Sequence, residues 1–133
     1  MKRGKYFYFT ISGDNLDVDG LAKKTNMEHE IYRKGESTKS KILDRYYFQK
    51  TNRFVMKDVD QGDTITTAFL KKNLDIIVRD LPVIKPYLLH NNSKIELVIY
   101  SSQKNDYVRL TKGIIHCLDL IGVPTSFVIW ECE

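Results

Sequence analysis

The chain has 133 residues, 42% hydrophobic and 29% charged, with a net charge of +4. That composition excludes a disordered chain, the length suits one domain (residues 1–133) around one core, and no apolar run approaches the ~20 residues that span a bilayer. The charge is uneven: residues 1–57 hold 13 Lys or Arg against 7 Asp or Glu, whereas residues 58–133 hold 8 against 10.

The opening MKRGKYFYFTIS places positive charges before an aromatic run, as a secretory leader does. The run alternates with Tyr and Thr, however, and reaches Gly13-Asp14 without a small-residue cleavage site, so it predicts a first strand over Lys5–Ser12. Tyr6, Tyr8 and Thr10 share one face and Phe7, Phe9 and Ile11 the other; bulk on both faces predicts a central position in the sheet. A short helix over Val18–Lys24 follows, then a strand over Glu28–Lys34, a polar loop at 35–40, and strands over Ile42–Gln49 and Arg53–Asp58 joined near Thr51-Asn52. Asp63 is placed to cap a helix over 64–80 in which Leu70, Leu74, Ile77 and Leu81 form an apolar stripe, with a break or kink expected at Pro82 and Pro86 preventing a long undisturbed continuation. A strand over 94–100 leads to a helix capped by Thr111, striped by Ile114, Cys117, Leu118 and Ile121, and closed by Gly122 ahead of Pro124. Ser126–Cys132 is the last strand. The predicted class is α+β, a single mixed or antiparallel sheet with about three helices packed mainly on one face, in the order β-α-β-β-β-α-β-α-β.

The segment NLDVDG at 15–20 comes closest to a chemical motif, the start of a calcium loop. Asp17, Asp19 and Gly20 fit its third, fifth and sixth positions, but the first is Asn15 and the twelfth is Asn26 where Glu is required. Helix capping accounts for more: Asp17 as N-cap, Leu16 and Leu21 as a hydrophobic staple, Asp19 in the first turn and Lys23-Lys24 in the last. His29, His90 and His116 have no metal-ligand spacing to each other or to the cysteines, so neither metal nor cofactor is expected. His116 falls opposite the apolar stripe of its helix, and Cys117 within it, a poor place for an activated thiolate. Cys117 and Cys132 read as free thiols used as small hydrophobes, which suits a cytoplasmic address, though their spacing leaves a disulfide open. No phosphate-binding or nucleophile-elbow motif is present.

The N-terminal YFYFTISGDNLDVDGLAKKT and the C-terminal RLTKGIIHCLDLIGVPTSFVIW together resemble the bacterial domain-of-unknown-function 4279 family. The first matches its strand, Gly-Asp turn, Leu-Asp and short helix; the second matches its Leu-Ser/Thr, helix, Leu-Gly, strand ending. The middle departs, with Leu43-Asp44-Arg45-Tyr46-Tyr47-Phe48 where the family often has a Trp-rich segment. The resemblance implies a fold without implying catalytic residues, and small bacterial domains of this kind often sit among toxin–immunity genes.

The resulting expectation is a cytoplasmic, non-enzymatic protein-interaction module, with a toxin-neutralising immunity protein as its specific form. The candidate contact surface is the basic region Arg33, Lys34, Lys39, Lys41, Arg45, Tyr47, Lys50 and Arg53, facing acidic groups on a protein partner and no membrane. Two alternatives remain open. One is nucleic-acid binding through the same basic, aromatic stretch 33–53; the other is a small-molecule or enzymatic cleft beside the sheet, lined by Asp44, His29 or Tyr47.

Overall fold

The computed structural model describes residues 4–40, 45–61, 65–101 and 108–131, with backbone alone at 38–40, 45–47, 101 and 131. In chain order these form β1 (Gly4–Gly13), α1 (Val18–Lys24), β2 (Glu30–Tyr32), β3 (Ser37–Ser40), β4 (Arg45–Phe48), β5 (Asn52–Asp60), α2 (Thr66–Leu88), β6 (Asn92–Ser101), α3 (Lys112–Ile121) and β7 (Thr125–Glu131). The strand with bulk on both faces is central, as predicted: β1 pairs antiparallel with β5 on one side and β6 on the other. The sheet order is β2-β5-β1-β6-β7. Only β6 and β7 run parallel among these pairs, and α3 supplies the crossover that a parallel pair requires. The fold is therefore α+β, a five-stranded mixed sheet with three helices.

One sheet face makes the core. Phe7, Phe9 and Ile11 of β1, Phe54 and Met56 of β5, and Ile95, Leu97 and Ile99 of β6 cluster with buried residues from all three helices, among them Leu21, Phe69, Leu74, Ile77, Ile114 and Cys117. Each fully buried Phe, Leu or Ile contributes about 1.5–3 kcal/mol by leaving water. The alternate strand positions, led by Tyr6, Tyr8 and Thr10, are absent from this cluster. Among the described residues the helices thus lie on one face and leave the other without a helical cover.

The near-calcium segment is a capped helix start. Asp17 Oδ1 accepts from the Gly20 amide at 3.0 Å, Leu16 and Leu21 are both buried, and Asp19 bonds Arg33. Asn52 Nδ2 donates to the Asp14 and Leu16 carbonyls, both at 3.2 Å, tying the turn to the start of β5. Gly13 leaves room for Asn91: a Cβ there would stand 2.1 Å from Asn91 Oδ1, so that side chain would have to move.

Three predictions need correction. Residues 35–40 are not simply a loop, because Ser37–Ser40 is β3. A run of Ser, Thr and Lys has no apolar period, so only its partner reveals it. That partner is β4, which was expected to join the strand after it and instead forms a separate two-stranded ribbon with β3. The ribbon's base closes through Gly35 N–H to Gln49 O at 2.9 Å and Gln49 N–H to Glu36 O at 2.8 Å.

Third, α2 does not break at Pro82 but continues through Pro82 and Pro86 to Leu88. Both prolines are exposed, while Ile77, Asp80, Leu81 and Ile84 continue the buried stripe beneath them. Packing of that stripe outweighs the loss of two helical hydrogen bonds. Buried Asp80 also accepts from Thr25 Oγ1 at 2.8 Å and from the Asn26 amide at 3.0 Å, locking α2 onto the end of α1. The N-cap position of α2 is held by Ile65, which makes no side-chain capping bond, in place of the expected Asp63, itself outside the described residues. The last helix matches its prediction at both ends: Thr111 Oγ1 accepts from Ile114 N at 3.2 Å, and Gly122 takes the left-handed conformation at φ 68°. Among the described residues no helix is long and apolar enough to cross a membrane.

Candidate interaction surface

The predicted basic strip is partly neutralised from within. Exposed Arg33 bonds Asp19 and lies 3.9 Å from Glu36, and the Asp19 hydrogen bond is the main cause holding its guanidinium above its ordinary pKa. Lys34 lies 3.6 Å from Asp14. Arg53 sits on β5 with its guanidinium carbon 4.6 Å from the centre of the Tyr32 ring, a cation–π contact. Lys50 is exposed at the ribbon base and, with Phe48, Gln49, Thr51 and Arg53, lines a solvent-open depression of about 240 Å³. That is below the ~300 Å³ at which small-molecule pockets begin. Lys39 and Arg45 are in the ribbon, at positions opposite Tyr46 and Ser40, and Tyr47 is opposite Thr38. Their side chains, and all of Lys41 and Asp44, lie outside the described residues. The structure therefore brings Lys50 and Arg53 together and engages Arg33 and Lys34 with acids of the same chain.

A second surface, which sequence reasoning did not assemble, is the sheet face away from the helices. Strand register places Tyr8 between Lys57 and Glu96, Tyr6 between Val59 and Val98, Thr10 between Val55 and Lys94, and Tyr100 beside Trp130. The Tyr6 and Tyr8 rings are parallel within 7° at 6.5 Å, and Tyr100 meets Tyr6 edge-on at 5.6 Å. Trp130 is 56% exposed. Burial, followed by the neighbouring Tyr100, Tyr6 and Glu96, raises the Tyr8 phenol above its ordinary pKa. Charges of both signs share the face: Arg53, Lys57 and Lys94 against Glu30 and Glu96. The alternation of Tyr6 and Tyr8 was visible in the sequence. Their meeting with Tyr100 and Trp130 depends on strand order, which is not.

Cys117 and His29 are engaged structurally. Cys117 is a free, buried thiol whose Sγ donates to Asp75 Oδ1 at 3.6 Å. Burial raises its pKa most, Lys71 opposes this and Asp75 adds to it, so the thiol is held protonated rather than activated. His29 Nδ1 lies 2.8 Å from the Met27 carbonyl, and its ring stacks on Phe54 at 4.9 Å. His116 is exposed, as its helical position predicted. Among the described residues no three His, Cys, Asp or Glu side chains are grouped to hold a metal.

A half-exposed aromatic sheet face of mixed charge, with three helices on the opposite face, marks this small α+β domain. The chain belongs to the family described as a domain of unknown function (DUF4279), whose model matches residues 3–131. The matched range includes both motifs that carried the resemblance, together with the divergent middle. No curated protein and no solved structure is significantly similar to the chain.

Proposed function

We propose that the chain is a non-enzymatic protein-interaction module and that its partner docks on the uncovered sheet face. The observation that carries this reading is the row Tyr8, Tyr6, Tyr100 and Trp130 interleaved with Lys57, Lys94 and Glu96. Aromatic rings supply rigid contact area at low entropic cost and are enriched at binding hot spots, while flanking charges of both signs select a partner. A nucleic acid would also stack on such rings but needs a positive surface to follow its phosphates. Glu96 in the centre of this face, and the pairing of Arg33 and Lys34 with Asp19 and Asp14, argue against that use. Neutralisation of a toxin, the role suggested by the gene neighbourhoods of similar small bacterial domains, requires only a rigid surface of this kind.

Co-purification with the products of adjacent genes tests the reading. A partner captured by the wild type and lost with Lys57→Glu/Lys94→Glu supports it, because both residues are exposed and their reversal leaves the core alone. Tight, steeply salt-dependent binding of a mixed single-stranded oligonucleotide, weakened by the same changes, would replace it with the nucleic-acid reading.

A further inference from the structure

The two edges of the sheet differ in a way that points to self-association. At one edge β2 is only three residues long and runs straight into the charged pair Arg33-Lys34. At the other, β7 is seven residues, TSFVIWE, with no Pro, Lys or Gly inside it. Short length and charge are the usual protections of an edge, and β7 lacks both along its apolar centre. Among the described residues no strand pairs with its outer side.

The direction of its free hydrogen-bonding groups follows from its contact with β6. Ile95 N–H donates to Pro124 O at 2.9 Å and Ile95 stands opposite Thr125, so residues 124, 126, 128 and 130 address β6. Thr125, Phe127, Ile129 and Glu131 therefore aim their N–H and C=O groups outward. Phe127 and Ile129, 36% and 44% exposed, are also in register with buried Leu97 and Ile99, which places them on the helix side of the sheet. The flank of α3 that faces α2 is fixed by Cys117, which bonds Asp75, and by Gly113, whose added Cβ would stand 3.1 Å from Lys71 Cε. Ile115, 53% exposed, lies on the opposite flank of α3, the one turned away from α2.

We propose that β7 pairs antiparallel with β7 of a second copy about a two-fold axis through Val128, joining the two sheets into one. This register is self-complementary. Phe127 meets Ile129 of the other copy twice in hydrogen-bonded pairs, Thr125 meets Glu131, Val128 meets Val128, and bulky Trp130 meets small Ser126. No like charges stand opposite one another. All outward backbone groups are used, giving about eight inter-strand hydrogen bonds. The exposed parts of Ile115, Phe127 and Ile129 amount to roughly 250 Å² of apolar surface per copy, with Trp130 left to the aromatic face. With the strand backbones this comes close to the ~1,000 Å² total that separates specific from incidental contacts. The axis is perpendicular to the sheet, so both aromatic faces end on the same side and present two equivalent surfaces to a partner.

Sedimentation equilibrium of the full chain from micromolar to millimolar concentration tests the pairing. The expected mass rises from 15.6 kDa towards twice that value, and Ile129→Lys and Ile115→Lys each weaken the dimer at least about tenfold. The two changes lie on different elements, so misfolding of one, detected by circular dichroism, leaves the other decisive. In a Cys117→Ala/Cys132→Ala background, Val128→Cys should form an interchain disulfide, since directly opposed non-hydrogen-bonded residues have Cα atoms ~4.5 Å apart. Ser126→Cys, which faces Trp130 in this register, should not. A chain that stays monomeric, a dimer indifferent to both lysine variants, or cross-linking by Ser126→Cys as efficient as by Val128→Cys overturns the proposal.

Discussion

Removing the Asp80 carboxylate should cost more stability than any other single polar change on α2, because two segments depend on it. Asp80 is 6% exposed and its Oδ2 receives both Thr25 Oγ1 at 2.8 Å and the Asn26 amide at 3.0 Å. Thr25 in turn caps the end of α1 and accepts from the Met27 amide at 3.1 Å. A hydrogen bond to a charged group is worth ~1.5–3 kcal/mol, but Asn26 is exposed and its amide can be rehydrated. Asp80→Ala is therefore expected to cost about 3 kcal/mol, a large share of the ~5–15 kcal/mol that holds a domain together. Asp80→Asn keeps an acceptor at the same place and loses charge assistance together with the 3.6 Å approach of Arg79 Nε, an exposed partner of little weight. It should cost about 1 kcal/mol.

Urea unfolding followed by far-UV circular dichroism reads both values from the midpoint, provided the slope is unchanged. Thr25→Val completes a double-mutant cycle with Asp80→Ala, and a coupling of about 1–2 kcal/mol is expected. Native-state hydrogen exchange should show α1 opening first in the alanine variant. Equal small losses for Asp80→Ala and Asp80→Asn, or full additivity with Thr25→Val, would refute the claim that this carboxylate fastens α1 to α2.

Gly13→Ala should destabilise by about 1–3 kcal/mol through overpacking against Asn91, and Asn91→Ala should remove most of that penalty when combined with it; a penalty undiminished in the double variant would mean that backbone conformation, not Asn91, demands the glycine. Pro82→Ala restores a helical N–H at an exposed position of α2 and should stabilise by about 1–3 kcal/mol in the same urea assay, whereas a loss would show that the proline ring is needed there. The Tyr8 phenol is raised above its ordinary value of 10.0, chiefly by burial, so the stability gained from keeping it protonated is complete below pH 10.0 and is lost as pH rises through its higher folded-state value. Alkaline titration followed by phenolate absorbance or ring NMR should lose its late-titrating component in Tyr8→Phe, and Glu96→Gln should bring that component to lower pH.

What could be read from the sequence divides by the range of the interaction responsible. Both capped helix starts and the Gly122 stop are local, settled by residues three or four positions apart, and Asp17, Thr111 and Gly122 behave as predicted. The central place of β1 was also legible, since bulk on both faces of one strand is a local pattern with a tertiary consequence. The misreadings occur where a distant partner decides. β3 is a strand only because β4 lies beside it, and α2 passes Pro82 only because Ile84 has a core to enter and Asp80 a distant Thr25 to hold.

The same distinction explains why the basic strip stands out in the sequence and the aromatic face does not. Charge is visible as a run in the sequence, and Arg33 and Lys34 counted fully there although Asp19 and Asp14, from the preceding turn and helix, lie against them in the fold. The aromatic face is composed of residues from β1, β6 and β7 that are far apart in sequence and become neighbours only through the order β1-β6-β7. That order depends on α3 crossing over to bring β7 parallel to β6, which also leaves β7 at the edge with Phe127 and Ile129 incompletely covered. One topological feature thus produces two surfaces: a face with rings available to a partner, and an edge with backbone groups available to another strand. They can be separated by experiment, because Lys57 and Lys94 lie on the face and away from the edge, whereas Ile129 lies on the edge strand in register with buried Ile99, on the helix side.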